Sequence, residues 1–553
     1  MDKRFIFILI LAWIGIALIK SAHCENLYVD PWITDVDGRT IAYLVDPGDT
    51  IFLLSGSKTY LWLGYLHGTN EKPIVVINRN GKVEISGYKY GLKFDSSSHI
   101  KLTGKGMWDI PYGILIKYTT GAGISVDGLS TNIEIEGLEI SNVLYAGIYA
   151  KTDPICSDFR STREKFTLRN LFIHDNYIHH TGNEGMYIGN VKYLGMTLVC
   201  NGKDTTVFPH LVRGVEVCNN RIDYAGWDGL QVSSTDSGCS VHHNMIQYDS
   251  QGENPEQMSG ILLGGGSHCK CYNNTIMNGK GDGIDILSLG NEYLYNNQIH
   301  LAGRSYKPGN TSPQYMKHGI YISQYYTLPD AEYTLTNNNI TSPKTNCVRI
   351  NNYIAKVRVI NNILVDPGSY PQLGPKAFIN KVNPAMKDSS AVNITAVYYD
   401  EVGFKDPLKL NFDLVKTSPA INKAIAIPGI ILDFDILNRI RPFSTSNDLG
   451  AYECYDPDLN IDDPDVCQPI HCIVHYSQIL DEAIVRIELT ETLPVKIALY
   501  SALGHLLAQL PEMKYVPGIH EARIPLTSFP DGMYMVRIIT PKYMQTCKFI
   551  MYH

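Results

Sequence analysis

The stretch Asn274-Thr275-Ile276-Met277-Asn278-Gly279-Lys280-Gly281-Asp282-Gly283-Ile284-Asp285-Ile286 contains, within one turn of chain, the two elements that recur along most of the sequence. The first is Asn-x-Ile. It is found at Asn176, Asn220, Asn244, Asn274, Asn297, Asn338 and Asn361, with Ile178, Ile222, Ile246, Ile276, Ile299, Ile340 and Ile363 two residues later. The steps between these Asn are 44, 24, 30, 23, 41 and 23 residues, a base period near 23 with insertions in some turns. A repeat of 20 to 30 residues made of short β-like runs is the signature of a solenoid. Asn suits its corners because it tolerates left-handed backbone angles and hydrogen-bonds to an Asn in the same place on the next coil. The Ile two residues later is expected in the core.

The second element, nine residues after several of these Asn, is a Gly followed by alternating apolar residues. It occurs as Gly185-Met186-Tyr187-Ile188, Gly229-Leu230-Gln231-Val232, Gly260-Ile261-Leu262-Leu263, Gly283-Ile284-Asp285-Ile286 and Gly319-Ile320-Tyr321-Ile322, with earlier copies at Gly113 and Gly147. Alternation points the first and third residues after Gly inward and the second outward. The fold class is therefore all-β, a parallel solenoid with one repeated half-exposed strand.

At this level the chain resembles the pectate-lyase-like superfamily of right-handed parallel β-helix proteins, over most of residues 27 to 455. Val45-Asp46-Pro47-Gly48-Asp49-Thr50-Ile51, followed by Lys72-Pro73-Ile74, is similar to the first coil of many exported members. Ser418-Pro419-Ala420-Ile421, Asp433, Arg441-Pro442 and Asp448-Leu449-Gly450-Ala451-Tyr452-Glu453 are similar to the segment that closes such helices. The resemblance specifies the superfamily without specifying a reaction.

Around this body lie two flanking parts. Lys3 and Arg4 precede an apolar run from Phe5 to Ile19 and then Ser21-Ala22-His23-Cys24, which reads as a signal peptide over 1–24, since fifteen apolar residues span a bilayer poorly. Acylation of Cys24 as a lipoprotein is the rival reading. The β-helix is expected over 25–455 and a Pro- and Asp-rich linker over 456–471. Residues 472–553 are expected to form a small Ig-like β-sandwich. Val495 to Tyr500, Asp531-Gly532-Met533-Tyr534-Met535-Val536 and Lys548-Phe549-Ile550 resemble the C-terminal sorting domain read by the type IX secretion system; an appended carbohydrate-binding sandwich is the alternative. The resemblance implies export through the periplasm to the cell surface or medium, with the type IX machinery as a partner; the protein is expected to be a monomer.

The net charge of −8 offers no basic face for phosphates and argues against nucleic acid as a partner. Twelve cysteines show no disulfide-scaffold spacing. A bridge is expected among Cys454, Cys467 and Cys472, while Cys239 and Cys269 either stack in the core or bridge.

Aligning the coils gives two columns. Just before the repeated Gly stand Glu184, Asp228, Ser259, Asp282, His318 and Asn346; two residues after it stand Tyr187, Gln231, Leu262, Asp285, Tyr321 and Arg349. Equivalent positions on stacked coils project in the same direction, so acids, bases and sugar-stacking rings converge on any ligand lying along the axis. Glu184, Asp228, Asp282, Asp285 and His318 are the catalytic candidates. Tyr187, Gln231, Tyr321, Arg349, Lys280 and Lys317 are the substrate-binding candidates, with insertions 190 to 213, 249 to 259 and 301 to 317 expected as walls. An Asp or Glu before Gly is also a common turn residue that simply bonds nearby backbone.

The pattern Asp282-Gly283-Ile284-Asp285, His318-Gly319 and Arg349-Ile350 resembles part of the polygalacturonase motif. The paired Asp is absent and Lys280-Gly281 replaces its Asn-Thr, so that mechanism does not transfer. Glycosidic hydrolysis of a polysaccharide is the leading expectation, since Asp228 and Asp282, two coils apart at roughly 4.8 Å per coil, have about the reach of an inverting pair. Glu184 and Asp228, one coil apart, approach a retaining pair. A polysaccharide lyase, with Lys280, His318 and Arg349 as candidates for base and carboxylate neutraliser, is the first alternative; no cofactor is expected, calcium entering only in the lyase case. A non-catalytic glycan-binding surface protein or adhesin is the second. No metal site is read from the sequence: His179-His180 and His242-His243 lie beside Asn corners, but no third ligand is identifiable.

Overall fold

The structure is a computed structural model describing residues 26–455 and 471–551, apart from 108, 288, 324–326, 369–376, 383–387, 428–429, 431, 478–481, 490–491, 502–505, 528, 530–531 and 541–543. The segment 1–24, the linker and Cys467 lie outside the described residues, as does the side chain of Cys472, so the bridge expected with Cys454 does too. The chain divides into two compact units, one ending at Cys454 and one beginning at Tyr455.

The first unit is a parallel β-helix. Twelve strands pair in parallel in strict chain order, from Asp35–Asp37 through Met186–Ile188, Leu230–Val232, Ser259–Leu263, Asp282–Ile286, Ile320–Ile322 and Val348–Ile350 to Ile379–Lys381. A second sheet of 23 strands supplies the other faces. Apolar residues at alternate positions fill the interior, where Ile178, Ile246, Ile284, Ile299 and Ile320 are fully buried. Burial of a side chain of this size stabilises by about 1.5–3 kcal/mol, so the repeat itself drives the stacking.

The corner ladder runs Asn176, Asn220, Asn244, Asn274, Asn297, Asn338, Asn362 and Asn393. The backbone N–H and the side-chain Nδ2 of each member both donate to Oδ1 of the next, at 2.9–3.1 Å. Asn361 is not a rung. Its partner strand aligns Ile340 with Leu364, so the motif in that coil is Asn362-x-Leu364, and the adjacent Ile363 is the source of the misreading. Nor do the rungs adopt left-handed angles. The preceding residues do: Asp175, Asn219, His243, Asn273, Asn296, Asn337, Asn361 and Val392 all have φ between 49° and 63°. Two successive corner positions are thus specialised, the first for backbone shape and the second for hydrogen bonding.

The segment after Ser418 returns along this corner and bonds the left-handed residues. Asn438 Oδ1 meets His243 Nε2 at 2.9 Å, Phe434 O accepts from Asn296, Asp448 O from Asn337 and Ile425 O from Asn361. Arg441, fully buried, donates to Glu453 and Asn296. Cys239 and Cys269 resolve as a disulfide joining consecutive coils, and a second disulfide joins Cys156 to Cys200 on the hairpin Met196–Cys200 and Lys203–Val207.

The second unit contains two antiparallel sheets. One is His471–Ser477, Glu482–Leu489 and Gly518–Pro525; the other is built on Leu493–Ser501, Gly532–Ile539 and Met544–Met551. Their alternating inner residues, including Val485, Ile487, Ile497, Leu499, Ile524, Val536 and Ile538, make one core, as in a β-sandwich.

Candidate active site

Both columns exist in the expected register. Tyr187, Gln231, Leu262, Asp285, Tyr321 and Arg349 are aligned rung by rung on the twelve-stranded sheet. Ser259 pairs with Asp282, and the amides of Gly147, Gly185, Gly229, Gly283 and Gly319 donate to the carbonyls of Glu184, Asp228, Ser259, His318 and Asn346 on the next coil.

The two columns differ in exposure. Glu184, Asp228, Ser259, Asp282, His318 and Asn346 are all buried, so the first column does not line an open groove. Tyr187, Asp285, Tyr321 and Arg349 are half-buried and reach the surface, whereas Gln231 and Leu262 between them are covered. The insertion 301 to 317 ends at Lys317, which meets the first column at Asp282. Lys317 Nζ donates to Asp282 Oδ2 at 3.0 Å and to Met258 O at 3.2 Å, and Lys307 and Lys280 both pair with Glu253, pinning the two insertions together. Lys280 is therefore engaged away from the strand column.

Burial sets the protonation of these groups. Asp228 Oδ1 accepts from the amide and hydroxyl of Ser259 at 2.7 Å each, while Oδ2 has no donor. Desolvation outweighs those bonds and holds its carboxyl well above the usual range. Burial likewise pushes Glu184 up to about 7 and, with help from the neighbouring Asp282 charge, Asp285 up to about 8. Asp282 accepts from the His318 amide as well as from Lys317, and burial still raises its pKa. Burial, Arg349 and Lys317 hold the His318 imidazole well below its ordinary value, so it is neutral. Burial opposes the charge on Lys317, but Asp282, Asp285 and Asp228 outweigh it and raise its pKa.

Hydrolysis by this pair would need Asp228 as the acid and Asp282 as the base. Asp228 and Asp282 each have an oxygen committed to the next coil's backbone, Asp282 is also paired with Lys317, and burial holds the Asp228 carboxyl above its usual range. In an inverting pair one carboxyl is the protonated acid and the other the ionised base, which must reach a water. One oxygen of each accepts from a backbone amide, as a turn residue does. Asp285 is different: it is half-buried, its Oδ1 has no donor among the described residues, and it adjoins Tyr321 and then Arg349 on successive strands. Arg349 donates to Asn380 Oδ1 at 3.2 Å and has no carboxylate within ion-pair distance among the described residues. Burial lowers its pKa, the mark of a guanidinium held without a counter-ion. The His318 and Tyr321 rings lie 5.7 Å apart, and the Tyr321 hydroxyl accepts from Asn351 at 3.2 Å.

Sequence reasoning missed a group at the other end of the column. Lys151, buried, lies 4.3 Å from the Tyr187 ring and pairs with Asp153 at 3.0 Å, which also accepts from Tyr149 and Asn190. Tyr149 occupies the rung before Tyr187 and marks the same column, but Lys151 follows the strand and has no periodic signal.

Calcium, the cofactor attached to the lyase alternative, needs hard oxygen ligands. The donorless buried oxygens Glu184 Oε2, Asp228 Oδ2 and Gln231 Oε1, on neighbouring coils, are of that kind. The cluster Glu134, Glu136 and His174 is not a vacant alternative, because Lys101 and Lys105 already neutralise it.

No protein-family model matches the chain, and no curated protein matches it in sequence. Among solved structures, a pectate lyase, Pel9A, is similar at 14% identity and TM-score 0.37, covering 78% of this chain and 96% of that one. An alginate lyase from Paenibacillus sp. str. FPU-7 gives 15% identity and TM-score 0.30 over 66% of this chain and 98% of that one. The mannuronan C-5 epimerase AlgE4 A-module from Azotobacter vinelandii gives 14% and 0.25 over 69% and 92%. The fold is a parallel β-helix. At these values the comparisons add nothing on chemistry, which has to be argued from the residues themselves.

Proposed function

We propose that the strand column from Asp285 to Arg349 binds an acidic polysaccharide and cleaves it by β-elimination. The observation that carries this reading is Arg349, a half-buried guanidinium with no carboxylate partner among the described residues, projecting on the same face as Tyr321 and Asp285. A uronic carboxylate is the planar anion that fits a guanidinium. Successive rungs about 4.8 Å apart place a sugar-sized step between each of the three side chains.

In elimination, a base removes the proton on the carbon next to the carboxyl group, the electron pair forms a carbon–carbon double bond, and the glycosidic carbon–oxygen bond breaks. The leaving oxygen takes up a proton. Arg349 neutralises the substrate carboxylate and the charge that develops on it. The base has to come from the half-exposed column, where Tyr321 stands between Asp285 and Arg349; His318 is buried behind it. Asp285, protonated at neutral pH, is the donor to the leaving oxygen. When bound, calcium would supply positive charge to an acidic ligand at the Glu184 end of the column, where Glu184, Asp228 and Gln231 are the residues that would hold it.

The reading is tested by affinity electrophoresis of the purified protein in gels containing an acidic or a neutral polysaccharide. Retardation by a polyuronate and not by a neutral glucan or xylan supports it, and Arg349→Gln abolishes that retardation. Equal retardation by neutral polymers overturns the assignment of Arg349. Binding without any cleavage product would move the protein to the non-catalytic class.

We further propose that the protein is exported, with 1–24 as signal peptide and 472–553 as a sorting domain. Two disulfides suit an oxidising compartment.

A further inference from the structure

On the outer face of the 23-stranded sheet, the strands Leu211–Cys218 and Ser237–His242 lie in parallel register, with Cys218 opposite His242. Alternation sends Val215, Val217 and Val241 into the core, so Glu216, Cys218 and His242 all project outward. The carboxylate of Glu216, the Cys218 sulfur and an imidazole nitrogen of His242 lie within 4.8 Å of one another. The Glu216 Oε1 to His242 Nε2 distance is 3.2 Å. Two such ligands on a tetrahedral zinc ion, each at about 2.0–2.1 Å, stand roughly 3.3 Å apart.

We infer that Glu216, Cys218 and His242 form a binding site for a thiophilic divalent metal ion, of which zinc is the matching case. The donor set decides the class. A thiolate and an imidazole beside one carboxylate suit a borderline-soft ion and do not suit calcium or magnesium, which take oxygen cages. Glu216 is exposed and Cys218 buried, so the three ligands sit at the edge of the solenoid surface and leave the fourth position to a ligand from outside the protein.

The surroundings orient the imidazole. His242 Nδ1 lies 2.8 Å from His243 Nδ1, which directs Nε2 toward Glu216; His243 in turn meets Asn273 at 3.0 Å and Asn438 at 2.9 Å. The Tyr272 ring stacks on His242 at 4.6 Å and 12°. A metal-bound histidine is characteristically held through its other nitrogen in this way. The His242-His243 pair thus acquires the further ligands that the sequence could not supply, because they come from the preceding coil.

The test uses untagged full-length protein stripped with a chelator and titrated with cobalt(II) alone. One equivalent should bind with a thiolate-to-cobalt charge-transfer band, and zinc should displace it. The band should vanish in Cys218→Ser. Because Glu216 is exposed, Glu216→Gln folds normally and should weaken binding at least about tenfold, as should His243→Gln, within the range for lost supporting contacts. Zinc should also raise the melting temperature of the parent protein more than that of Glu216→Gln. No charge-transfer band in the parent protein, or unchanged affinity in Glu216→Gln, overturns the site; the second result decides the matter if Cys218→Ser fails to fold.

Discussion

Lys317 reaches back from the coil of His318 to place its ammonium 3.0 Å from Asp282 Oδ2 on the preceding coil, where both groups are almost wholly buried. Removing one partner of such a pair strands a charge. Lys317→Met should therefore destabilise the β-helix by about 3–5 kcal/mol, and adding Asp282→Asn should restore much of it. Denaturant midpoints of the two variants check this, since a pair of no consequence would leave both at the parent value.

The raised carboxyl pKa values fix the sign of a pH dependence. Glu184 titrates near 7 when folded, above its ordinary range, so its contribution is fully present below the unfolded pKa and declines as pH rises through 7. Asp285 acts the same way up to about 8. The parent protein should be more stable at pH 5 than at pH 8, by roughly 2.5 kcal/mol from Glu184 alone. Glu184→Gln should erase that part, gaining on the parent protein at pH 8 and not at pH 5. Melting curves at the two pH values measure it.

The ladder predicts large costs at single corner residues. Asn244→Ala removes the acceptor for the Asn220 amide inside the corner and should cost about 1–3 kcal/mol. Asn362→Ala should cost a similar amount, as the residue that receives the Asn338 amide. Ile246→Asp, which buries an unpaired carboxylate, should cost several kcal/mol. Chemical denaturation of the three variants provides the comparison.

Export offers a prediction separate from the chemistry. Deleting residues from Cys472 onward should leave a folded β-helix retained in the periplasm, detected by cell fractionation. Normal surface delivery would remove the sorting assignment.

The solenoid was legible because its corners and core repeat: Asn, a spacer and Ile recur wherever two coils stack, and the Gly-led strand places Tyr187, Asp285 and Arg349 in one line. The reading slipped at Asn361 for a physical reason. Doublets such as Asn273-Asn274 carry two roles, left-handed turn then ladder rung, and a motif anchored on Ile picks the wrong member when the core residue is Leu364. The cover that Lys317 gives Asp282 was hidden because Lys317 closes the insertion 301 to 317, and insertions carry no period. Glu216 and Cys218 were invisible as partners of His242 for the same kind of reason, since only the register of neighbouring coils brings them together.

The most direct test of the central claim is to incubate the protein with polyuronates and follow new reducing ends and the ultraviolet absorbance of unsaturated sugar ends in the same sample. The site described here predicts the two signals in equal amounts. It also predicts loss of at least about two orders of magnitude in rate for Arg349→Gln and Asp285→Asn, with melting temperatures near the parent value. Reducing ends without unsaturation, or full activity in Arg349→Gln, would contradict it.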